Sequence, residues 1–351
     1  MSHTDDAVWL FSIQGRNVME MDVAVSDGSY RITLEHGLLA KVSDYVPQGK
    51  RVFLISDDGV PAKWRDILQA QFPDQPLYVI PHGEDSKCFD QLQKVLAAML
   101  EAHLSRKDLV IALGGGVVGD LSGFAAAIYM RGIEWINVPT TMLAMVDSSI
   151  GGKTAIDFNG VKNSVGAFWQ PKAVLIDPDV LSTLSPRLLS EGCAEAIKTG
   201  LIRDPELFEI FEQADWQTHL DTIIERSLAV KKAVVEADER ESGERKLLNF
   251  GHTFGHAYES LSDGVLLHGE AVSIGMMTIL ENEEIKRRLK KVLDRLNLPC
   301  EYEADPSAVY ERIRNDKKAS HDSISIVQVP EIGKGTIETW TMAQVKEKLG
   351  I

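Results

Sequence analysis

The sequence is poor in cysteine and in basic residues. Its three cysteines, Cys88, Cys193 and Cys300, are odd in number and widely spaced, which argues against a disulfide framework and favours free thiols in a reducing compartment. Lys and Arg total 37 against 52 Asp and Glu, a formal net charge of -15. Affinity for a phosphate backbone needs clustered positive charge, so a general nucleic-acid binder is disfavoured. A small anionic substrate stays compatible, because local basic residues can override the global sign.

Long apolar runs are also missing. No stretch reaches the roughly 20 residues of a membrane helix, and Asp5 and Asp6 precede only a short apolar run at residues 7–13, unlike a signal peptide. We therefore expect a cytoplasmic protein without a membrane partner. The apolar fraction of 44% and charged fraction of 25% are typical of globular proteins. A chain of 351 residues favours two domains, with a cleft between them as the expected active site.

The hydrophobic pattern differs between the two halves. In residues 1–177, strand-like runs at 51–56, 77–80, 109–113, 133–138 and 173–176 alternate with helical patterns at 89–103 and 121–130. This alternation predicts an α/β domain with a mostly parallel, Rossmann-like sheet, whose ligands bind beyond the carboxyl ends of the strands. Residues 178–351 predict a mainly α-helical domain, with helices at 186–201, 221–238, 247–261 and 281–296 and a hairpin of strands 323–329 and 335–340.

A glycine-rich segment at residues 113–120 follows a predicted strand and opens a helix. Glycines at 114, 115 and 116 would let a dinucleotide pyrophosphate approach the amides of a helix N-terminus. The spacing is not GxGxxG, so a tight strand-to-helix turn explains the pattern equally well.

Two lysines and two threonines follow in candidate ligand-binding segments. Lys153 comes after two glycines and Lys162 precedes Asn163, an arrangement that suits a phosphate group but also a solvated loop. Thr140 and Thr141 follow a strand and could offer hydroxyls to a ligand or cap a helix.

Three histidines, His252, His256 and His268, are concentrated in a short span. On a helix the first two share one face, and a third one loop later can close on the same point. Such a cluster indicates a divalent metal site, although the spacing does not decide which three groups are ligands. The glutamate of an HExxH metalloprotease is missing, which disfavours a peptidase.

Charged residues elsewhere in the second half have two interpretations. Glu195 and Lys198 form either a surface ion pair or a metal ligand beside a substrate contact. Lys231, Arg245 and Asn249 form an anion site around the histidines, or they are exposed helix charges.

Taken in order, these motifs resemble those of the 3-dehydroquinate synthase family, within the sugar phosphate cyclases, from about residue 50 to residue 320. The matching segments are His82-Gly-Glu-Asp-Ser-Lys87, 114–120, Met130-Arg131-Gly132, Pro139-Thr140-Thr141, 146–153, Lys162-Asn163, Ala194-Glu195-x-x-Lys198, 231–239, 249–256 and His268-Gly269-Glu270. The resemblance implies an NAD-binding N-terminal domain and a helical, metal-binding C-terminal domain.

The resemblance also implies roles for individual residues. For the metal, Zn²⁺ with Co²⁺ as an alternative, it implies the ligands Glu195, His252 and His268, and it makes His256 a proton-transfer residue. The residues implied for NAD are Asp57, Glu84, Lys87, Gly115, Gly116, Val117, Asp120, Thr140, Thr141, Lys153, Lys162, Leu181 and Thr183. Those implied for the substrate are Asp147, Lys153, Asn163, Lys198, Lys231, Arg245, Asn249 and Lys318. Arg131 would reach the phosphate in the neighbouring subunit, which implies a homodimer.

The reaction implied is the conversion of 3-deoxy-D-arabino-heptulosonate 7-phosphate to 3-dehydroquinate and phosphate, in the shikimate pathway of aromatic amino acid and chorismate biosynthesis. NAD oxidises a ring hydroxyl transiently, phosphate is eliminated, the hydride returns, and the opened ring closes by an intramolecular aldol step. Because NAD is regenerated, the enzyme would be a carbon–oxygen lyase.

Three other functions compete with this one. A sister cyclase, such as 2-deoxy-scyllo-inosose, 2-epi-5-epi-valiolone or amino-dehydroquinate synthase, would take a related substrate. A metal-dependent dehydrogenase of the glycerol dehydrogenase fold would not need Lys153 and Asn163. A structural zinc would need a fourth ligand. Two segments depart from the family: the region between Met276 and Leu298 is shortened to one helical run, and nothing functional is predicted before Tyr30.

Overall fold

The computed structural model describes residues 9–13, 16–26, 28–241, 243–315 and 323–351. The chain divides into two compact units, Met1–Leu184 and Ser185–Ile351, here called the N-terminal and C-terminal units. The boundary predicted after residue 177 falls shortly before this division. In the described part of the chain, every helix is too short or too polar to cross a membrane.

An eight-stranded sheet forms the centre of the N-terminal unit, in the order β1-β2-β3-β10-β7-β6-β4-β5. Its strands are β1 (Trp9–Ile13), β2 (Arg16–Val25), β3 (Gly28–Leu34), β4 (Val52–Asp57), β5 (Leu77–Ile80), β6 (Leu109–Gly114), β7 (Glu134–Pro139) and β10 (Ala173–Ile176). The first three pair antiparallel, and all pairs from β3 to β5 are parallel. The prediction of a mostly parallel sheet is confirmed, and the five predicted strands are β4, β5, β6, β7 and β10.

Two features of this unit were not predicted. One is the antiparallel β1–β3 edge, and the other is a separate hairpin of β8 (Lys153–Phe158) and β9 (Val161–Phe168). The hairpin contains Lys153, Lys162 and Asn163, for which a solvated loop was one of the two interpretations.

The helices of the N-terminal unit are α1 (Ala62–Ala70), α2 (Phe89–Glu101) and α3 (Gly116–Ile128). Strands β4 and β6 are buried at every position, as expected for parallel strands covered on both faces. Helix α3 lies very close to its neighbours, because a Cβ on Gly123 would be 2.4 Å from the Thr154 methyl and 2.9 Å from the Trp135 ring. This packing fixes the helix that follows the glycine-rich turn.

The C-terminal unit is mainly helical, as predicted. Its elements are α4 (Pro186–Arg203), α5 (Pro205–Phe211), α6 (Leu220–Ala237), α7 (His252–Leu261), α8 (His268–Ile279), α9 (Glu283–Arg295), α10 (Pro306–Arg314), α11 (Met342–Leu349) and the hairpin β11 (Ser323–Glu331) with β12 (Lys334–Thr341). Residues 280–282 connect α8 directly to α9, so the shortened region is a single helix with a tight connection.

Helix α7 begins later than the predicted residue 247. A 3-10 turn (Glu244–Asn249) precedes it, and Gly251 adopts a left-handed conformation with φ of 77°, which is strained for residues with a side chain. A Cβ on Gly275 of α8 would be 1.9 Å from the Gly251 carbonyl oxygen. Glycine at both positions therefore allows α7 and α8 to pack in backbone contact.

Candidate active site

The three histidines converge, as their spacing predicted. His252 and His256 lie one turn apart on α7, and His268 is the first residue of α8. One ring nitrogen from each lies within 4.8 Å of those of the other two. The backbone contact between α7 and α8 explains why residues from two helices meet at one point.

Glu195 joins this cluster from α4. Its Oε1 lies 3.4 Å from Nε2 of His252 and 3.3 Å from Nε2 of His268. The side chain is only 1% exposed, yet neither carboxylate oxygen accepts a well-directed hydrogen bond from the described residues. A buried carboxylate without such bonds carries a large desolvation penalty. A divalent cation would offset the part of that penalty that the nearby Lys198 does not, and one carboxylate with two imidazoles is a ligand set that Zn²⁺ accepts.

Lys198 follows Glu195 by three residues on the same helix. Its Nζ contacts Oε2 of Glu195, and both residues are buried, so the interpretation of a surface ion pair is wrong. Burial alone raises the pKa of Glu195, but the charge of Lys198 and the neighbouring His268 outweigh it, and the pKa is lowered. The carboxylate is therefore ionised at neutral pH, the form that binds a metal.

Two of the other basic groups are also buried. Lys231 on α6 and Arg245 in the 3-10 turn are 6% and 2% exposed, so for these two the interpretation as exposed helix charges is wrong. Arg245 donates from Nη1 to the Glu239 carbonyl at 2.5 Å and from its backbone N–H to the Asp238 carboxylate at 3.1 Å. These bonds fix a cation inside the segment that leads to α7.

Asn249 precedes the histidine motif. Its Nδ2 donates to Oε1 of Glu241 at 2.8 Å. Lys318, the last residue assigned to the substrate, lies outside the described residues.

In the N-terminal unit, the glycine-rich segment forms the predicted strand–turn–helix junction. Strand β6 ends at Gly114, and α3 begins at Gly116, followed by Val117. None of the three glycines has a positive φ. Space explains their presence instead, because a Cβ on Gly115 would be 3.0 Å from the Thr141 methyl and one on Gly116 would be 3.3 Å from Ser148 Oγ. Such a bare helix N-terminus suits a phosphate group.

Lys87 organises a second group of predicted residues. Its buried Nζ lies 2.8 Å from Asp120 Oδ2 and 3.5 Å from Glu84 Oε1, and it donates to Oδ1 of Asn163. Burial lowers the pKa of Lys87, but Asp120 and Glu84 outweigh it and the pKa is raised. The structure thus brings together three residues assigned to NAD and one assigned to the substrate.

The remaining predicted residues of this unit lie at strand ends and in turns. Thr141 Oγ1 accepts the Ala144 N–H at 3.2 Å, so this threonine caps the following π-helical turn (Ala144–Ser148), which carries Asp147. Asp57 ends β4, and its Oδ1 accepts the Val60 N–H at 2.9 Å.

Three further predicted site residues lie in turns of the N-terminal unit. Leu181 and Thr183 lie in the 3-10 turn Pro178–Thr183, where Thr183 Oγ1 accepts the Trp64 indole N–H at 2.7 Å. Arg131 is exposed and has a left-handed φ of 68°.

Sequence reasoning missed the carboxylates that hold the site residues in the C-terminal unit. Glu259 contacts His268, and Asp238 holds the backbone around Arg245. The signal for Glu259 was available, because it follows His252 and His256 on the same helical face. No comparable pattern marks Asp238.

Known proteins share both sequence and fold with this chain. The family models for the N-terminal and C-terminal parts of 3-dehydroquinate synthase match residues 77–191 and 192–319. A 3-dehydroquinate synthase from Latilactobacillus sakei subsp. sakei is 40% identical over 349 residues, covering 94% of this chain and 97% of the relative.

Two solved structures of sugar phosphate cyclases have a similar fold. One is 2-deoxy-scyllo-inosose synthase complexed with carbaglucose-6-phosphate, NAD⁺ and Co²⁺, which is 24% identical with a TM-score of 0.85 and covers 94% of this chain and 99% of that one. The other is 2-epi-5-epi-valiolone synthase from Streptomyces hygroscopicus subsp. jinggangensis with NAD⁺ and Zn²⁺ bound, which is 27% identical with a TM-score of 0.83 and covers 93% and 97%. With both family models matched and a near full-length relative at 40% identity, the chain belongs to the 3-dehydroquinate synthase family of enzymes.

Proposed function

We propose that this enzyme converts 3-deoxy-D-arabino-heptulosonate 7-phosphate to 3-dehydroquinate and phosphate. The observation that carries the proposal is the cluster of the buried Glu195 and Lys198 with the three partly buried histidines, in a chain 40% identical to a relative named 3-dehydroquinate synthase. The cluster supplies a metal site and a cation beside it. Both are needed to handle an anionic, hydroxylated substrate.

Glu195, His252 and His268 are the proposed metal ligands, with Zn²⁺ as the first choice and Co²⁺ as an alternative. The contacts of Glu195 with Nε2 of both histidines support this set. The two cyclase structures hold Co²⁺ and Zn²⁺, respectively, together with NAD⁺. NAD is proposed to bind the N-terminal unit at Gly115, Gly116 and the N-terminus of α3.

When bound, NAD would accept and return a hydride at the ring carbon whose hydroxyl the metal polarises. Lys231, Arg245 and Asn249, with Lys318, are proposed to bind the anionic and hydroxyl groups of the substrate. His256 would move a proton beside the substrate. Asp147, Lys153 and Asn163 of the N-terminal unit would contribute further contacts to the hydroxyls and phosphate. Their shared task is orientation, for which fixed cations are well suited.

The proposed reaction has no net redox change. The ring carbon would give a hydride to bound NAD⁺ while its hydroxyl gives up a proton, and the adjacent C–H proton and phosphate would then be eliminated. The hydride and a proton would return to the carbonyl group, and ring opening followed by aldol closure would form the new C–C bond. Substrate therefore gives 3-dehydroquinate and phosphate in equal amounts, without accumulation of NADH.

The deciding experiment is an assay of the purified chain with NAD, Zn²⁺ and the heptulosonate phosphate. We expect phosphate and 3-dehydroquinate in equal amounts, loss of both with a chelator, and recovery with Zn²⁺ or Co²⁺. Net NADH formation from simple polyols would instead identify a dehydrogenase. If the protein binds metal and NAD but forms no product, the assignment moves to a sister cyclase such as amino-dehydroquinate or 2-deoxy-scyllo-inosose synthase, with sugar phosphates as the next substrates.

A cytoplasmic homodimer is also proposed. The exposed position of Arg131 supports a contact with a neighbouring subunit, and the free cysteines support a reducing compartment. Mixing inactive Arg131→Ala and Lys231→Ala variants tests the dimer, because each mixed dimer would contain one intact site. Recovery of about a quarter of wild-type activity is expected for random pairing. No recovery in mixed dimers would show that Arg131 acts within its own subunit.

A further inference from the structure

The His268 ring is held from both sides by carboxylates. Its Nε2 lies 3.3 Å from Oε1 of Glu195, and its Nδ1 lies 3.2 Å from Oε2 of Glu259. The Glu259 side chain is only 10% exposed. Metal binding requires the neutral imidazole, which carries one N–H, so a proton on Nδ1 that is donated to Glu259 leaves the Nε2 lone pair directed towards Glu195.

The packing of α7 against α8 explains how Glu259 reaches this ring. Glu259 follows His252 by seven residues and His256 by three, so the three side chains lie along one face of α7. A Cβ on Gly255 would be 2.9 Å from the Ala271 carbonyl oxygen. The two helices therefore pack closely enough for a glutamate of one to contact the first residue of the other.

His252, the other proposed histidine ligand, is oriented in the same sense by a different group. Its Nδ1 lies 3.1 Å from the carbonyl oxygen of Phe250, and its Nε2 faces Glu195. Each ring thus has a hydrogen-bond acceptor at Nδ1 and its Nε2 towards the same carboxylate. The acceptor of His252 is a neutral backbone group, whereas that of His268 is a carboxylate, which can also increase the basicity of the ring.

We propose that Glu259 is a positioning residue that fixes the tautomer and orientation of His268 for a divalent metal. The inference rests on the proposed metal site. Glu259 itself would contact neither the metal nor the substrate. Residues that hold ligand histidines in this way typically change metal affinity by about 10–100-fold when they are removed.

The test is Zn²⁺ titration of the full-length, chelator-treated protein in competition with a chromophoric chelator. Glu259→Ala removes the acceptor, and we expect its Zn²⁺ dissociation constant to rise by about 10–100-fold. Glu259→Gln keeps an amide oxygen as acceptor but removes the charge, so its affinity should lie between those of Glu259→Ala and the wild type. The visible spectrum of bound Co²⁺ should change in the same order, because it reports the ligand geometry.

Glu212→Gln is the matched control. Glu212 accepts from Arg288 at 2.8 Å and 2.7 Å, so this variant also removes a carboxylate from a partly buried pair in the C-terminal unit. Its Zn²⁺ affinity and Co²⁺ spectrum should equal those of the wild type. Unchanged NAD affinity and circular dichroism would show that the Glu259 variants are folded. If Glu259→Ala does not fold, Glu259→Gln alone provides the test.

Two results would count against these ideas in different ways. Suppose that the wild type binds Zn²⁺ and that both Glu259 variants have Zn²⁺ dissociation constants within about twofold of the wild-type value. Glu259 then only stabilises the helix packing, and the inference is wrong. If the wild type binds neither Zn²⁺ nor Co²⁺, the proposed metal site itself fails, and the inference about Glu259 fails with it.

Discussion

The two units place their proposed functional groups in different environments. In the N-terminal unit, Lys153, Lys162 and Asn163 are exposed on a hairpin, although the proposed NAD residue Lys87 is buried. In the C-terminal unit, Glu195 and Lys198 are buried within a helix. Much of the proposed ligand binding in the first unit therefore depends on exposed groups outside the core. In the second, the binding groups are part of the core, so changes to them should also affect folding.

The largest effect on stability should come from breaking the buried pair. Lys198→Met keeps most of the side-chain volume but removes the cation that contacts the buried Glu195 carboxylate. Removing one partner of a buried ion pair typically costs about 3–5 kcal/mol. We expect a loss of this size in the free energy of unfolding of the metal-free C-terminal unit, measured by urea denaturation at neutral pH.

The double variant Glu195→Gln with Lys198→Met is the control, because it also removes the Glu195 charge that has lost its lysine partner in the single variant. It should recover most of the lost stability. Equal losses in the single and double variants would show that steric fit, not charge, determines the stability at this position.

The next effect concerns the response of each unit to its own ligand. A ligand present at 100 times its dissociation constant stabilises the unit that binds it by about 2.7 kcal/mol. Zn²⁺ should therefore slow hydrogen exchange mainly in peptides of α4, α7 and α8. NAD should slow exchange mainly in peptides around β6 and α3.

Hydrogen–deuterium exchange with mass spectrometry checks this in one experiment, with each ligand added alone and then together. Mg²⁺ at the same concentration is the control for non-specific effects of a divalent cation. Protection of the α3 peptides by Zn²⁺ alone would contradict the assignment of one ligand to each unit.

Two glycines on α3 separate binding from packing within the N-terminal unit. Gly123→Ala places a Cβ 2.4 Å from the Thr154 methyl, and overpacking of this kind should cost about 1–2 kcal/mol of stability after the gain in helix propensity. Gly116→Ala places a Cβ 3.3 Å from Ser148 Oγ, a contact that a small shift relieves. It should instead lower NAD affinity about tenfold, or ~1.4 kcal/mol, by crowding the N-terminus of the helix.

Calorimetric titration with NAD and thermal unfolding of both variants measure the two effects. The expected result is a crossed pattern, with stability lowered mainly in one variant and affinity mainly in the other. If both variants lose NAD affinity equally, NAD binding at the β6–α3 turn depends on the packing of α3 as a whole, and the two glycines have no separate roles.

The sequence predicted the elements whose signals are local. The apolar runs that became β4, β5, β6, β7 and β10 were found because buried parallel strands are continuously hydrophobic. The hairpin β8–β9 was missed although Asn159-Gly160, with φ of 50° and 75°, is a strong hairpin-turn signal. Its strands carry polar and glycine residues that resemble a loop.

The sequence predicted the histidines of the site better than the burial of Glu195 and Lys198. The spacing of His252, His256 and His268 was enough to predict their convergence, because helical periodicity fixes which residues share a face. The burial of Glu195 and Lys198 depends on the packing of α4 against other helices, which no local pattern encodes. The residues alone left a metal ligand as one of two interpretations of Glu195, and the resemblance to a known family favoured that one.

The smallest predicted effect shows how the N-terminal unit uses a charge outside its proposed binding residues. Asp108, before β6, accepts the backbone N–H groups of Arg51 at 3.1 Å and Ser105 at 2.6 Å. Partial burial raises the pKa of Asp108, but these bonds and the charge of Arg51 outweigh it, and the pKa is lowered from 3.8. The unfolded chain therefore binds the proton more tightly, so the stabilisation is complete above pH 3.8 and is lost as the pH falls through the folded pKa.

Asp108→Asn should lower stability by about 1 kcal/mol at pH 7, and this difference should shrink towards pH 3. Urea denaturation of both proteins across that range measures it, with exposed Asp74→Asn as the control. A difference independent of pH would mean that the shape of the side chain, and not its charge, holds the loop before β6.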